Sequence, residues 1–140
     1  MGSASTDQLE HEIKQADQVN DFIVNIEDNK QEYTLAEYLD ILLTKYNLKK
    51  KDVINASNID MVYGYQIFQG RKNPTRDILL SLCVGFGLDV NDARHLLYYG
   101  NAGTLYPRNK RDAYIMFALN KKMNILDLNK LLYDMGEETL

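Results

Sequence analysis

Apolar residues recur along this chain at intervals of three and four, the spacing of a helix face. No stretch alternates with the period of two that a half-buried strand shows. Prolines stand only at positions 74 and 107, so little interrupts helices elsewhere. A weak stripe of Leu9, Ile13, Ala16, Phe22, Ile23 and Ile26 predicts a first helix over about 6–25, and the polar residues 28–31 close it. Thr34 and Glu37 then have the spacing of a capping box. It opens a helix with Leu35, Leu39, Leu42, Leu43 and Tyr46 on one face, ending near Asn47. A short helix over about 50–56 follows, with Val53 and Ile54 inward. Asn58 and Asp60 supply the turn and the next cap. A helix over 61–69 stops at Gly70, residues 71–74 form a loop, and Thr75 caps a helix with Ile78, Leu79, Leu82, Cys83 and Phe86 on its core face. Gly87 ends that helix. Asp89 caps the next, with Val90, Ala93, Leu96 and Leu97 inward.

The pattern then repeats. Residues 76–105 and 111–140 align without gaps at an offset of 35, with eight identities: Arg76/Arg111, Asp77/Asp112, Asp92/Asp127, Leu96/Leu131, Leu97/Leu132, Tyr98/Tyr133, Thr104/Thr139 and Leu105/Leu140. Asp89 and Asn124 fall at equivalent caps. Each unit reads as a helix, a tight turn, and a second helix ending in Leu-Leu-Tyr. The predicted fold is all-α: a five-helix unit over 34–105, an acidic N-terminal helix or arm over 1–33, and a copied helical hairpin over 106–140 that packs on the unit.

Charge changes the picture more than composition does. The chain has 140 residues, 45% hydrophobic and 26% charged, an ordinary globular balance. Its net charge is −4, but residues 1–40 carry −8, residues 41–122 carry +7 and residues 123–140 carry −3. A basic middle between acidic ends suits a protein that meets phosphates through one segment, although mixed helical surfaces also produce such runs. The same asymmetry admits an acidic arm that folds over the basic face. No apolar run is long enough to span a bilayer and no secretion signal is legible, so the cytoplasm is the expected location.

Catalytic chemistry is not in view. His11 and His95 are the only histidines and neither has a partner at metal-ligand spacing. Cys83, the single cysteine, lies on a core face and reads as packing. Gly85 and Gly87 sit at a helix end and form no phosphate loop, and the carboxylates are scattered over caps. The expectation is a protein that is not an enzyme and needs no metal or cofactor.

The segment KDVINASNIDMVYGYQIFQGRKNPT (51–75), continued by ILLSLCVGFGLD (78–89), resembles the Cro/repressor (XRE-type) helix-turn-helix family. The order of a short helix, a four-residue turn, a helix closing on Gly-Arg-Lys-Asn-Pro-Thr and an apolar helix closing on Gly-Leu-Asp carries the resemblance over about 65 residues. YGYQIF (63–68), Arg76, Asp77 and LYPRNKRD (105–112) also resemble a little-characterised set of firmicute helix-turn-helix proteins.

The family resemblance implies a transcription regulator that binds double-stranded DNA as a homodimer, with the helix over 61–69 in the major groove. Met61, Val62, Tyr65 and Gln66 then occupy the leading turns of the reading helix, where the Gln66 amide matches an adenine edge. Gln69, Arg71 and Lys72 meet the backbone, and Lys49, Lys50 and Lys51 stand ready for phosphates. The chain departs from the family at Gly64, where an apolar residue is usual, and at Tyr65 and Phe68, where Ser and Glu are frequent. Gly64 lets another element approach closely, and Tyr63, Tyr65 and Phe68 also fit aromatic core packing. No arginine lies on the reading face. The alternative is an adaptor module on a helix-turn-helix scaffold that grips a protein partner.

Overall fold

Side-chain caps set the helix boundaries. In the computed structural model, which describes residues 33–140, these residues form seven α-helices and no strand. They are α1 (Leu35–Tyr46), α2 (Lys50–Ala56), α3 (Met61–Phe68), α4 (Arg76–Phe86), α5 (Val90–Tyr99), α6 (Lys110–Asn120) and α7 (Ile125–Asp134). The helix expected over 6–25 and the acidic arm lie outside the described residues. Thr34 and Glu37 close the capping box on α1, with Thr34 N–H donating to Glu37 Oε1 at 2.9 Å and Glu37 N–H to Thr34 Oγ1 at 3.1 Å. Asp60, Thr75, Asp89, Asn109 and Asn124 cap α3 to α7 in the same sense. Each satisfies an N–H that the first turn leaves without a helical partner.

α2 is held between two helices. It lies against α3 and α4, α1 lies against α3 and α5, and α4 pairs with α5. The close approach depends on two glycines. A Cβ on Gly64 of α3 would stand 2.5 Å from Ile54 Cγ2 of α2. A Cβ on Gly85 of α4 would run into Ser57 Oγ and stand 2.8 Å from the Val53 carbonyl oxygen. Ser57 itself is buried, its hydroxyl donating to the Val53 carbonyl at 2.7 Å. Gly64 costs its helix about 1 kcal/mol relative to alanine. The contact with Ile54, which is fully buried, gives that cost a structural reason.

α1 is tied to α5 by one buried carboxylate. Asp92 accepts from the Tyr46 hydroxyl at 2.6 Å and from Lys45 Nζ at 2.8 Å. Beside it Tyr38 is buried, its ring 4.6 Å from Tyr99 and edge-on to His95. Burial pushes the ionisation of Tyr38, Tyr46 and the Cys83 thiol well above their ordinary values, and the Asp92 charge adds to the shift of both tyrosines.

The hairpins α4–α5 and α6–α7 repeat each other in backbone detail. Leu88 N–H donates to the Cys83 carbonyl and Met123 N–H to the Ala118 carbonyl, both at 3.0 Å. Ala102 N–H donates to Leu97 O and Glu137 N–H to Leu132 O, both at 2.8 Å. Positive φ recurs at Gly87 and Lys122, and again at Asn101 and Gly136. The first helices are offset by 34 residues and the second by 35, so the Arg-Asp pair sits one residue deeper in α6 than in α4. The two pairs exchange partners. Arg76 grips Asp112 at 3.0 and 3.2 Å, and Arg111 grips Asp77 at 2.9 and 3.1 Å. α4 also meets α7 while α5 meets α6, and Lys122 Nζ donates to the Gly87 carbonyl at 2.7 Å. Reciprocal contacts between equivalent positions are the mark of a two-fold relation, here inside one chain. Residues 34–140 form one compact unit. No helix among the described residues is long and apolar enough to cross a membrane.

Two outcomes follow from the packing. Gly64→Ala forces Ile54 aside and lowers unfolding stability by about 1–3 kcal/mol, despite alanine's better propensity. In an Ile54→Ala chain, which lacks the γ carbons nearest the added Cβ, Gly64→Ala should cost less in urea titrations than it does beside Ile54. The raised ionisations of Tyr38, Tyr46 and Cys83 favour the protonated folded state. Their contribution is therefore complete below the ordinary values of 10.0 for the phenols and 9.0 for the thiol. It is lost as pH climbs from there through the raised folded values. Urea midpoints should hold to about pH 9 and fall steeply by about pH 11. Tyr46→Phe should start lower and fall less.

Candidate nucleic-acid interface

The local sequence around residues 57–60 leaves little freedom to the turn between α2 and α3. Asn58 takes the left-handed conformation (φ 57°), which asparagine tolerates better than most side chains. Asp60 Oδ2 accepts from Tyr63 N–H at 3.0 Å and starts α3. α3 buries Gly64, Ile67 and Phe68. After it, Gly70 adopts φ 79°. Gly70 N–H donates to the Ile67 carbonyl at 3.0 Å and Arg71 N–H to the Gln66 carbonyl at 2.9 Å. This paired ending fixes where the backbone of Arg71 and Lys72 leaves the helix.

The expected site residues divide by burial. Val62 points outward and is 66% exposed. Gln66, one turn on, is half-buried, and Gln69 is exposed. Residues four apart share a helix face, so Val62 and Gln66 stand side by side. Met61 and Tyr65 are half-buried and pack on the edge of the core, as does Tyr63. Phe68 is core. Lys49, Lys51, Arg71 and Lys72 are exposed, while Lys50 is half-buried, its Nζ 5.9 Å over the Phe68 ring. That contact brings the start of α2 to the end of α3, the end that Arg71 and Lys72 follow, so the two basic clusters belong to one end of that helix.

The cations of the basic middle are not equivalent. Lys45, Arg76, Arg94, Arg111 and Lys122 are engaged in ion pairs or carbonyl contacts that hold helices together. Among the described residues Lys49, Lys51, Arg71 and Lys72 have no such partner. α2 alone of the seven described helices begins without a side-chain cap, with Lys49 at its cap position and Asp52 in its first turn. A groove of about 340 Å³ runs between the start of α1 (Thr34, Leu35, Ala36) and the end of α3 with its loop (Ile67, Gln69, Gly70, Lys72, Asn73).

A second, polar hollow of about 300 Å³ is lined by Arg76, Asn109, Lys110, Arg111, Asp112 and Glu137. Its two arginines are already occupied by carboxylates and backbone carbonyls, so it is a structural joint. Sequence reasoning did not pick out Arg108 and Lys110 as exposed cations, though both stand in the basic segment 105–112. It also passed over Tyr38, and Asp92 entered only as a repeat identity. Tyr38 completes the stripe of α1 at i+3 from Leu35. Asp92 is a charge on the inward side of α5, next to Ala93.

The division of the cations is measurable. Alanine at Lys49, Lys51, Arg71 or Lys72 should change unfolding stability by less than about 0.5 kcal/mol. Arg76→Ala or Arg111→Ala leaves a carboxylate without its partner, and partial exposure limits the loss to about 1–3 kcal/mol. Thermal melts of the six variants decide the matter, and equal losses in both groups would erase the distinction.

No protein-family model, curated protein or solved structure matches the chain, so its assignment rests on geometry.

Proposed function

We propose that this chain is a transcription regulator that binds duplex DNA, with α1–α5 forming a repressor-like helix-turn-helix unit and α3 as its reading helix. One observation carries the reading: Lys49, Lys51, Arg71 and Lys72 stand exposed beside α2 and the end of α3 with no internal partner, as Arg108 and Lys110 do at the start of α6, while five other cations of the basic middle are engaged in holding helices. Free cations beside a helix with an uncharged outer face match the division of labour in DNA recognition. Cations fix register on phosphates, and the helix beside them meets base edges. In this reading the protein acts in the cytoplasm as a homodimer, without catalysis or cofactor, and two copies of α3 lie about 34 Å apart on a near-palindromic site.

A second reading is favoured by one feature. Phe117, Leu126 and Tyr133 of the last hairpin are 50%, 72% and 77% exposed. Leu82, which aligns with Phe117 at the offset of 35, is fully buried. An apolar surface there suits a protein partner, and the helix-turn-helix is then a scaffold. That surface lies on α6 and α7, away from the residues proposed for DNA, so it is also compatible with a homodimer.

Fluorescence anisotropy with a random-sequence duplex tests the DNA reading. About four to six phosphate contacts give a slope of log affinity on log salt of roughly −4 to −5. Lys51→Ala and Lys72→Ala should each reduce its magnitude by about 1. A flat salt dependence, or no binding at about 50 mM salt, contradicts the proposal.

A further inference from the structure

We infer that α3 selects A·T pairs in the major groove, with Val62 as the specificity-determining contact through the thymine methyl and Gln66 as its partner on adenine. The inference rests on the DNA reading proposed above. It begins from a feature the fold does not explain. Val62 is a β-branched apolar residue, a poor helix former, and it stands 66% exposed near the start of an eight-residue helix. It is not part of the core, which α3 meets through Gly64, Ile67 and Phe68 and, at its edge, Met61, Tyr63 and Tyr65.

The chemistry of the face around it is selective. Residues 61–69 contain no charged side chain. Guanine is gripped best by arginine or lysine at O6 and N7, and the cytosine amino group by aspartate or glutamate. The nearest carboxylate, Asp60 at the cap, is engaged by the Tyr63 N–H, and the nearest cations, Arg71 and Lys72, lie beyond the helix end. The face offers an exposed branched apolar side chain at 62, a half-buried primary amide at 66 and an exposed one at 69. Apolar groups read the thymine methyl, and a glutamine amide pairs with adenine N6 and N7. Val62 and Gln66 are one helical turn apart, about 5–6 Å between Cβ atoms. That separation spans one to two base-pair steps of about 3.4 Å. The two contacts therefore fall on A·T pairs one or two steps apart. The exposed cations at 49, 51, 71 and 72 then take the phosphates.

The test begins with selection of duplexes from a random pool by the full chain. Each thymine of the recovered motif is then replaced singly by deoxyuridine, which removes only the 5-methyl group. The expected result is an A·T core in which one replacement weakens binding about three- to five-fold, the scale of one buried methyl. Val62→Ala should bind the thymine and deoxyuridine duplexes alike. Val62→Ile should keep the penalty, and matching thermal melts establish that both variants fold. A motif centred on G·C pairs, or a deoxyuridine penalty unchanged in Val62→Ala, overturns the inference and leaves DNA binding standing. Failure to bind any duplex at low salt overturns both.

Discussion

The packing of α2 against its neighbours is the constraint on which the rest of the molecule depends. Gly64 and Gly85 carry no Cβ where Ile54 and Ser57 need the room. Two short helices of seven and eight residues are marginal on their own. They hold a fixed arrangement because α2 is gripped on both sides and the turn between them is closed by Asn58 and Asp60. Burial of Ile67 and Phe68 then fixes the rotation of α3. Once that rotation is set, Val62 has nowhere to go but outward, with Gln66 beside it. The surface proposed to read DNA is thus a consequence of how the opposite face is packed.

Charge is divided by the same logic. The two hairpins meet through exchanged Arg-Asp pairs, and Asp77 draws the Arg111 guanidinium still further into its protonated form. Lys45 joins α1 to α5 through Asp92. Net charge alone does not distinguish such cations from those at 49–51 and 71–72. Their environment does: the first group is held by carboxylates and carbonyls, whereas Lys49, Lys51, Arg71 and Lys72 stand exposed. An acidic chain can in this way keep a basic surface without giving up its ionic joints.

Much of the helical framework was legible in the sequence because caps and turns are local chemistry. Thr34 with Glu37, Asp60, Thr75, Asp89 and Asn124 all act where their spacing implied. The helix expected over 50–56 runs over those residues. Gly64 was legible as a residue that admits a close neighbour, though not which one. The repeat announced two equivalent hairpins, yet a linear alignment holds no information on their mutual orientation. The exchange of Arg76 and Arg111 between Asp112 and Asp77 emerges only in three dimensions. Of the expected site residues, Val62 stands open while Met61 and Tyr65 lean on the core. Periodicity could not separate them, because a helix of eight residues makes barely two turns.

The central claim is that α3 and the cations beside it meet duplex DNA. Amide chemical-shift mapping of the full chain, titrated with a random-sequence duplex at low salt, tests this and requires no operator sequence. Perturbations should gather at residues 49–51, 61–69 and 71–72, with the α6–α7 hairpin unmoved. Shifts confined to α6 and α7, or no shifts at saturating duplex, would contradict it.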